Sequence, residues 1–148
     1  MIQGSLFGAR TGGAAVANID GGARGNPGPA GYGARIERED GSVVELKKAV
    51  GIATNNVAEY KGLLAALAWA VENGLASLHV RSDSDLLVRQ MRGEYRVKHE
   101  GLKPLWQQAQ ALVRQIGRVQ FEHVRRELNK DADRLANEAM DEAAAIQP

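Results

Sequence analysis

Four acidic residues stand where a chain could bring carboxylates together: Asp20, Glu59, Asp83 and Asp133. Asp20 closes a short apolar run, AAVANID, and precedes a glycine, a pairing that suits a tight turn. Glu59 follows Asn56 by three positions, the spacing of a capping box at a helix start. Asp83 lies between two serines at a strand-to-helix junction, where any of the three could cap the helix. Asp133 falls in the first turn of the last predicted helix, where negative charge complements the helix dipole. Each acid alone therefore has a purely structural explanation. Together they have a chemical one, because three of the four sit near boundaries between apolar segments and the fourth ends the apparent central strand, and ligand sites in α/β sheets gather at strand ends and helix starts. Clustered carboxylates repel one another unless cations neutralise them. Two divalent ions would do so and would also clamp the attacking and leaving oxygens of a phosphodiester.

Other metal chemistries are excluded by composition. The chain has no cysteine and only three scattered histidines, His79, His99 and His123. Carboxylate oxygen is left as the ligand, which favours Mg²⁺ or Mn²⁺. A length of 148 residues, 44% of them hydrophobic and 25% charged, fits one globular domain. No apolar run is long enough to span a bilayer and the N-terminus lacks a secretory pattern, so no membrane association, a cytoplasmic location and a monomer are expected. The net charge of +1 conceals asymmetry: residues 81–126 carry ten basic and five acidic side chains, residues 127–148 two and six. The basic middle is either a solvated helix surface or a face for a polyanion.

The elements that must position the acids follow from periodicity. Residues 1–13 are glycine-rich and aperiodic and read as a flexible tail, followed by a domain over 14–148. The run ending at Asp20 is a buried strand, and Gly21–Gly33 a turning, glycine- and proline-dense segment. Alternation at Tyr32, Ala34 and Ile36 gives a second strand, and Asp40-Gly41 a hairpin turn into a third over Ser42–Val50. A helix is predicted over Asn56–Asn73, a fourth strand over Ser77–Ser82, helices over Ser84–Arg92 and Leu102–Ile116, a fifth strand over Val119–Val124, and a final helix over Lys130–Ala145. This order implies a mixed sheet with helices on its faces, an α/β domain.

The segments IDGGARGNPGPAGYG, TNNVAEYKGLLAAL, VRSDSDLLVRQM and NKDADRLANEA occur in that order, each carrying one of the four acids. In this the chain resembles type 1 ribonuclease H over roughly Ala14 to Ala143. The resemblance implies a ribonuclease H-like five-stranded mixed sheet of order 3-2-1-4-5 with helices on both faces. It also implies an endonuclease that hydrolyses the RNA strand of RNA–DNA hybrids with two metal ions, Mg²⁺ or in substitution Mn²⁺, leaving 3′-hydroxyl and 5′-phosphate ends. Asp20, Glu59, Asp83 and Asp133 match the family's metal-binding catalytic acids, and Asn26, Thr54, Asn55 and Asn56 its substrate-binding positions. Asparagine amides suit hydroxyls and base edges in a shallow minor groove, and Thr54 suits a phosphate grip.

The chain also departs from the pattern. Many relatives carry a histidine in the loop before the last helix; here that loop is Arg125-Arg126-Glu127-Leu128, and an Arg or a Glu is expected to serve instead, since His123 falls within the fifth strand. The basic, Trp-containing protrusion of many relatives is replaced by the short Gly93–Gly101, and Asp85 stands where relatives often have Gln, adding negative charge near the groove. These features resemble a subgroup of archaea and some bacteria, parts of which also cut double-stranded RNA. An inactive hybrid-binding module is disfavoured by the presence of all four acids. An integrase or junction resolvase is disfavoured by a Glu beside Thr-Asn-Asn, and a structural domain whose acids are only caps is the remaining alternative. Residues Gln3-Gly4-Ser5-Leu6-Phe7 resemble the peptide by which bacterial proteins bind the DNA sliding clamp, with Leu6 and Phe7 as apolar anchors.

Overall fold

The computed structural model describes residues 13–146, so the Gln3–Phe7 segment lies outside the described residues. Five strands are formed: β1 (Ala14–Ala23), β2 (Gly28–Arg38), β3 (Val43–Ala53), β4 (Ser77–Ser82) and β5 (Arg118–His123). Four α-helices accompany them: α1 (Asn55–Glu72), α2 (Asp85–Met91), α3 (Lys103–Ile116) and α4 (Lys130–Ile146), with a single 3₁₀ turn at Arg126–Leu128 before α4. The strands form one sheet of order β3-β2-β1-β4-β5. β1, β2 and β3 pair antiparallel, while β4 pairs parallel to both β1 and β5. Among the described residues, no helix is long and apolar enough to cross a membrane.

The α/β class, the strand order and the placement of helices on both faces agree with expectation. Two local readings require correction. Asp20 does not end its strand in a turn, because β1 continues to Ala23, with Asp20 opposite Gly33 and Gly21 opposite Tyr32 on β2. Likewise most of the glycine-rich segment is strand, and only four residues, Arg24–Pro27, make the turn. The glycines serve mainly to remove side chains rather than to bend backbone. Within Gly21–Gly33 only Gly25 has a positive φ. A Cβ at Gly21 would lie 2.5 Å from the Ala58 backbone of α1, and one at Gly31 2.5 Å from the Ala139 Cβ of α4. Gly33 likewise meets Leu135 of α4. Two helices thus seat directly on bare strand backbone, α1 on one face and α4 on the other.

The main core lies between the sheet and α1, where Ile19, Ile36, Leu63, Leu67, Leu78 and Val80 are fully or almost fully buried. α3 packs on the outside of α1 and contributes Ala109 and Ile116. On the opposite face α4 buries Ala132, Leu135, Ala136, Ala139 and Ala143, a mostly alanine stripe that allows close approach to the glycines of β2. Its outer rows are tied to β3 by Arg134–Glu45 (2.6 Å) and by Lys47 with Glu138 (3.1 Å) and Glu142 (3.2 Å).

This seating gives a direct test. Gly33→Ala should lower the unfolding free energy by about 2 kcal/mol, because the added methyl overpacks a backbone-to-helix contact. The exposed Val43→Ala should change it by less than about 0.5 kcal/mol. Urea unfolding of the two variants measures both.

Candidate active site

Strand register brings the first two acids together. β1 and β4 run parallel with Ile19 opposite Ser82 as their last paired residues, so Asp20 and Asp83 follow side by side at the same sheet edge. β1 is also the strand from which the chain builds outward in both directions, the switch point at which α/β sheets collect ligands. Glu59 arrives from α1, whose first turns lie against Gly21. Carboxylate oxygens of Asp20, Glu59 and Asp83 lie within 4.8 Å of one another. Asp133, in the first turn of α4, is outside this tight group, yet its charge acts on both Asp20 and Asp83.

The capping explanations for these acids are largely removed. Thr54, not Asn56, caps α1, its hydroxyl oxygen accepting the Val57 N–H at 3.2 Å, so Glu59 belongs to no capping box. Ser84 caps α2 by accepting the Leu87 N–H at 3.2 Å, and Ser82 Oγ accepts the Ser84 N–H at 3.0 Å. Asp83, between them, is left free to face the cluster.

Burial and mutual repulsion raise the proton affinity of the cluster. Asp20 is pushed up to about 8, first by burial and then by Asp83, against the opposing hydrogen bond from the Gly21 N–H at 2.9 Å. Glu59 is pushed up to about 7 by burial and by Asp83, partly offset by a hydrogen bond with Ser84. Asp83 is raised by burial, while the Arg126 charge, an Asn129 hydrogen bond and the nearby His123 pull it back. Such a site gains by exchanging protons for cations. Its donor set is all carboxylate, which suits hard divalent ions. Two histidines are engaged elsewhere, His79 with Glu122 at 2.9 Å and His99 accepting the Gly101 N–H at 3.0 Å, while His123 lies beside Asp85 at 3.8 Å and close enough to Asp83 to act on it.

The expected substrate residues lie in the β1–β2 turn and at the start of α1, the helix that carries Glu59. Asn26 Oδ1 accepts the Asn55 N–H at 3.0 Å, and Asn55 Oδ1 accepts the Ala23 N–H at 2.8 Å. These bonds clamp the β1–β2 turn onto the start of α1. Thr54 and Asn55 thus have structural duties alongside any contact with substrate. Asn56 faces a cleft of about 540 Å³ whose wall includes Leu86, Tyr95, Arg96, Lys98 and His99. The short Gly93–Gly101 segment therefore supplies Glu94, Tyr95, Arg96, Lys98 and His99 to this cleft. Asp85, expected to add negative charge near the groove, pairs with Arg89 at 2.9 Å.

Two participants were not singled out from sequence. Asn129 is only 1% exposed and hydrogen-bonds across to β1, although in the sequence it reads as a residue preceding a helix. Ser84, there one of three possible caps, also bonds Glu59. Arg126 was one of several loop candidates, and it is the loop residue whose charge acts on Asp83.

The raised acids predict a pH dependence of the metal-free protein. Between the ordinary values of 3.8 and 4.5 and the folded values of about 8 and 7, the folded chain holds protons on Asp20 and Glu59 that the unfolded chain has released. Stability should therefore fall as pH rises from about 5 to 8. The carboxylates with lowered values, Asp40, Glu100 and Glu138, titrate below this window. Asp20→Asn should flatten the slope and stabilise the chelator-treated protein at pH 8 by on the order of 1–2 kcal/mol, allowing for partial solvent screening. Thermal unfolding across pH, with and without Mg²⁺, measures this, and added metal should restore the parent's stability at high pH.

Comparison with known proteins agrees with this architecture. The family profile described as "Reverse transcriptase-like" matches residues 18–139. The chain is 55% identical over 131 residues to "Bifunctional protein Rv2228c" of Mycobacterium tuberculosis, covering 87% of this chain but only 36% of that protein. It therefore spans about a third of the length of this relative. The solved N-terminal RNase H domain of Rv2228c superposes with a TM-score of 0.86 at 53% identity, covering 90% of this chain and 97% of that one. "Ribonuclease HI" of Halobacterium salinarum is 40% identical over 133 residues, covering 89% of this chain and 67% of that protein. LC11-RNase H1, isolated from compost and solved in complex with RNA/DNA hybrid, superposes with a TM-score of 0.82 at 41% identity, covering 88% and 99%. In matched span, identity and strand order alike, the chain belongs to the type 1 ribonuclease H family.

Proposed function

We propose that the chain is an endonuclease that hydrolyses the RNA strand of RNA–DNA hybrids by a two-metal-ion mechanism, leaving 3′-hydroxyl and 5′-phosphate ends. The observation that carries this reading is the convergence of Asp20, Glu59 and Asp83 within 4.8 Å at the β1–β4 switch point, in a chain of this family. When bound, a pair of Mg²⁺ ions, or Mn²⁺ in substitution, supplies an activated water and neutralises the charge on the leaving oxygen. Asp20, Glu59, Asp83 and Asp133 would hold them. Asp20, on which all three other acids act, would be the carboxylate whose charge the bound ions most relieve.

The chain's own groups supply recognition and orientation. Asn26 and Asn55, braced against each other, and Asn56 at the cleft present amides to the hydroxyl-lined minor groove, where the 2′-hydroxyl distinguishes RNA from DNA. Thr54 and the first N–H groups of α1 suit a phosphate of the paired DNA strand. Arg126 beside Asp83 balances negative charge on the side of the site where many relatives place a histidine.

Cleavage of labelled RNA–DNA hybrid, double-stranded RNA and duplex DNA, each with Mg²⁺, Mn²⁺ or chelator, tests the reading. Hybrid should be cut only with metal, duplex DNA should survive, and any cutting of double-stranded RNA would place the chain with the broader subgroup. Asp83→Asn should reduce hybrid cleavage by more than about 100-fold while remaining folded. Full activity of that variant would remove the metal assignment. Asn56→Ala should lower the turnover rate on hybrid more than its affinity, because the phosphate contacts persist. Single-turnover kinetics and polarisation binding separate the two.

A further inference from the structure

We propose that Asn129 is a positioning residue which sets the relative placement of the carboxylates, and that Asn18 fixes the orientation of its amide. The inference rests on the metal-binding reading above. Asn129 is the most deeply buried polar side chain among the described residues that contacts this region, at 1% exposure. A buried amide must place two donors and an acceptor. One Nδ2 hydrogen donates to the Ile19 carbonyl at 2.9 Å, the residue directly before Asp20. Its Oδ1 accepts from Asn18 Nδ2 at 3.0 Å, and the same Asn18 amide reaches the Leu128 carbonyl at 3.4 Å. The Asn129 backbone carbonyl accepts the Asp133 N–H at 3.0 Å. The side chain also hydrogen-bonds Asp83.

One residue therefore touches the backbone before Asp20, the side chain of Asp83 and the backbone of Asp133. These three acids come from β1, the end of β4 and α4, which no short stretch of chain connects. Asn18 makes the arrangement directional. By donating to Oδ1, it requires the amide to turn its N–H groups toward Ile19 and Asp83. Reversed, the amide would set its oxygen against the Ile19 carbonyl and the Asp83 carboxylate, and its N–H groups against the donor of Asn18. The cost of unmatched buried polar groups keeps it in the observed sense.

Two variants probe this without altering an acid of the cluster. Asn129→Asp keeps the shape but removes both N–H donors. Asn18→Asp, at a half-buried position, presents only acceptors to the amide and so favours its reversal. Groups that orient metal ligands typically contribute about 10–100-fold to affinity or activity. Mn²⁺ binding to the full chain without substrate, followed by electron paramagnetic resonance, should weaken by about 10-fold or more in both variants. The Mg²⁺ concentration for half-maximal hybrid cleavage should rise in parallel, while hybrid affinity in chelator stays within about two-fold. Should Asn129→Asp fail to fold, Asn18→Asp carries the test, with near-ultraviolet circular dichroism confirming its fold. A folded Asn18→Asp that binds Mn²⁺ as the parent does, or that loses only thermal stability, overturns the proposal. A parent chain that binds no Mn²⁺ overturns instead the metal reading on which it rests.

Discussion

Three carboxylates within 4.8 Å of one another, partly withdrawn from water, are the constraint around which this molecule is organised. Left to themselves they would separate, and the proton affinities of Asp20 and Glu59 are raised first by burial and then by this repulsion. The restoring structure is the parallel pairing of β1 with β4. That register fixes Asp20 and Asp83 as neighbours at the sheet edge, where side-chain flexibility cannot undo the crowding. The core residues Ile19 and Val80 lie behind them on the same two strands, with Leu78 farther down β4, so separating the acids would require unpairing strands that carry the main apolar burial. Folding free energy drawn from the core thus maintains an electrostatic arrangement that is unfavourable until cations arrive.

Close helix seating is the second requirement. α1 delivers Glu59 to the cluster only because Gly21 offers no side chain to hold Ala58 away, and α4 delivers Asp133 because Gly31 and Gly33 let its alanine stripe settle on β2. The glycine-rich segment is therefore part of the site's geometry although most of it contacts no substrate group. The Asn26–Asn55–Ala23 hydrogen bonds serve the same end, clamping the β1–β2 turn to the helix that presents Glu59. Polar side chains that read as ligand contacts in the sequence thus also carry backbone, which couples recognition to the placement of the acids.

Much of this was legible in the residues. Strand β4 was bounded correctly, the helices within a residue or two, and the four acids were marked by their positions between apolar segments. Alternation and helical spacing are local properties, and they survive folding because burial of the apolar face is what selects the element. The departures have two separate causes. Glycine was read for its conformational freedom, whereas at Gly21, Gly31 and Gly33 its value is the missing Cβ, which becomes meaningful only when a helix lies on it. The expected capping box of Asn56 with Glu59 does not form, because the helix begins at Asn55 and the cap falls two residues earlier than Asn56, on Thr54.

Local residue patterns are enough to set the element order, the carboxylate chemistry and, through four motifs in order, the family. They could not determine how near the acids stand, because that depends on the β1–β4 register, on Ile19 lying opposite Ser82, residues separated by two strands and the whole of α1. Nor could they show that Asp133 stays outside the closest group while Asp20, Glu59 and Asp83 converge. Asn129 is the clearest case. Its place before a helix is visible in the chain, but its link to Ile19 spans 110 residues and exists only once α4 is laid against the sheet. Local preference decides which element forms; long-range burial decides which polar groups must find one another, and here that second decision builds the site.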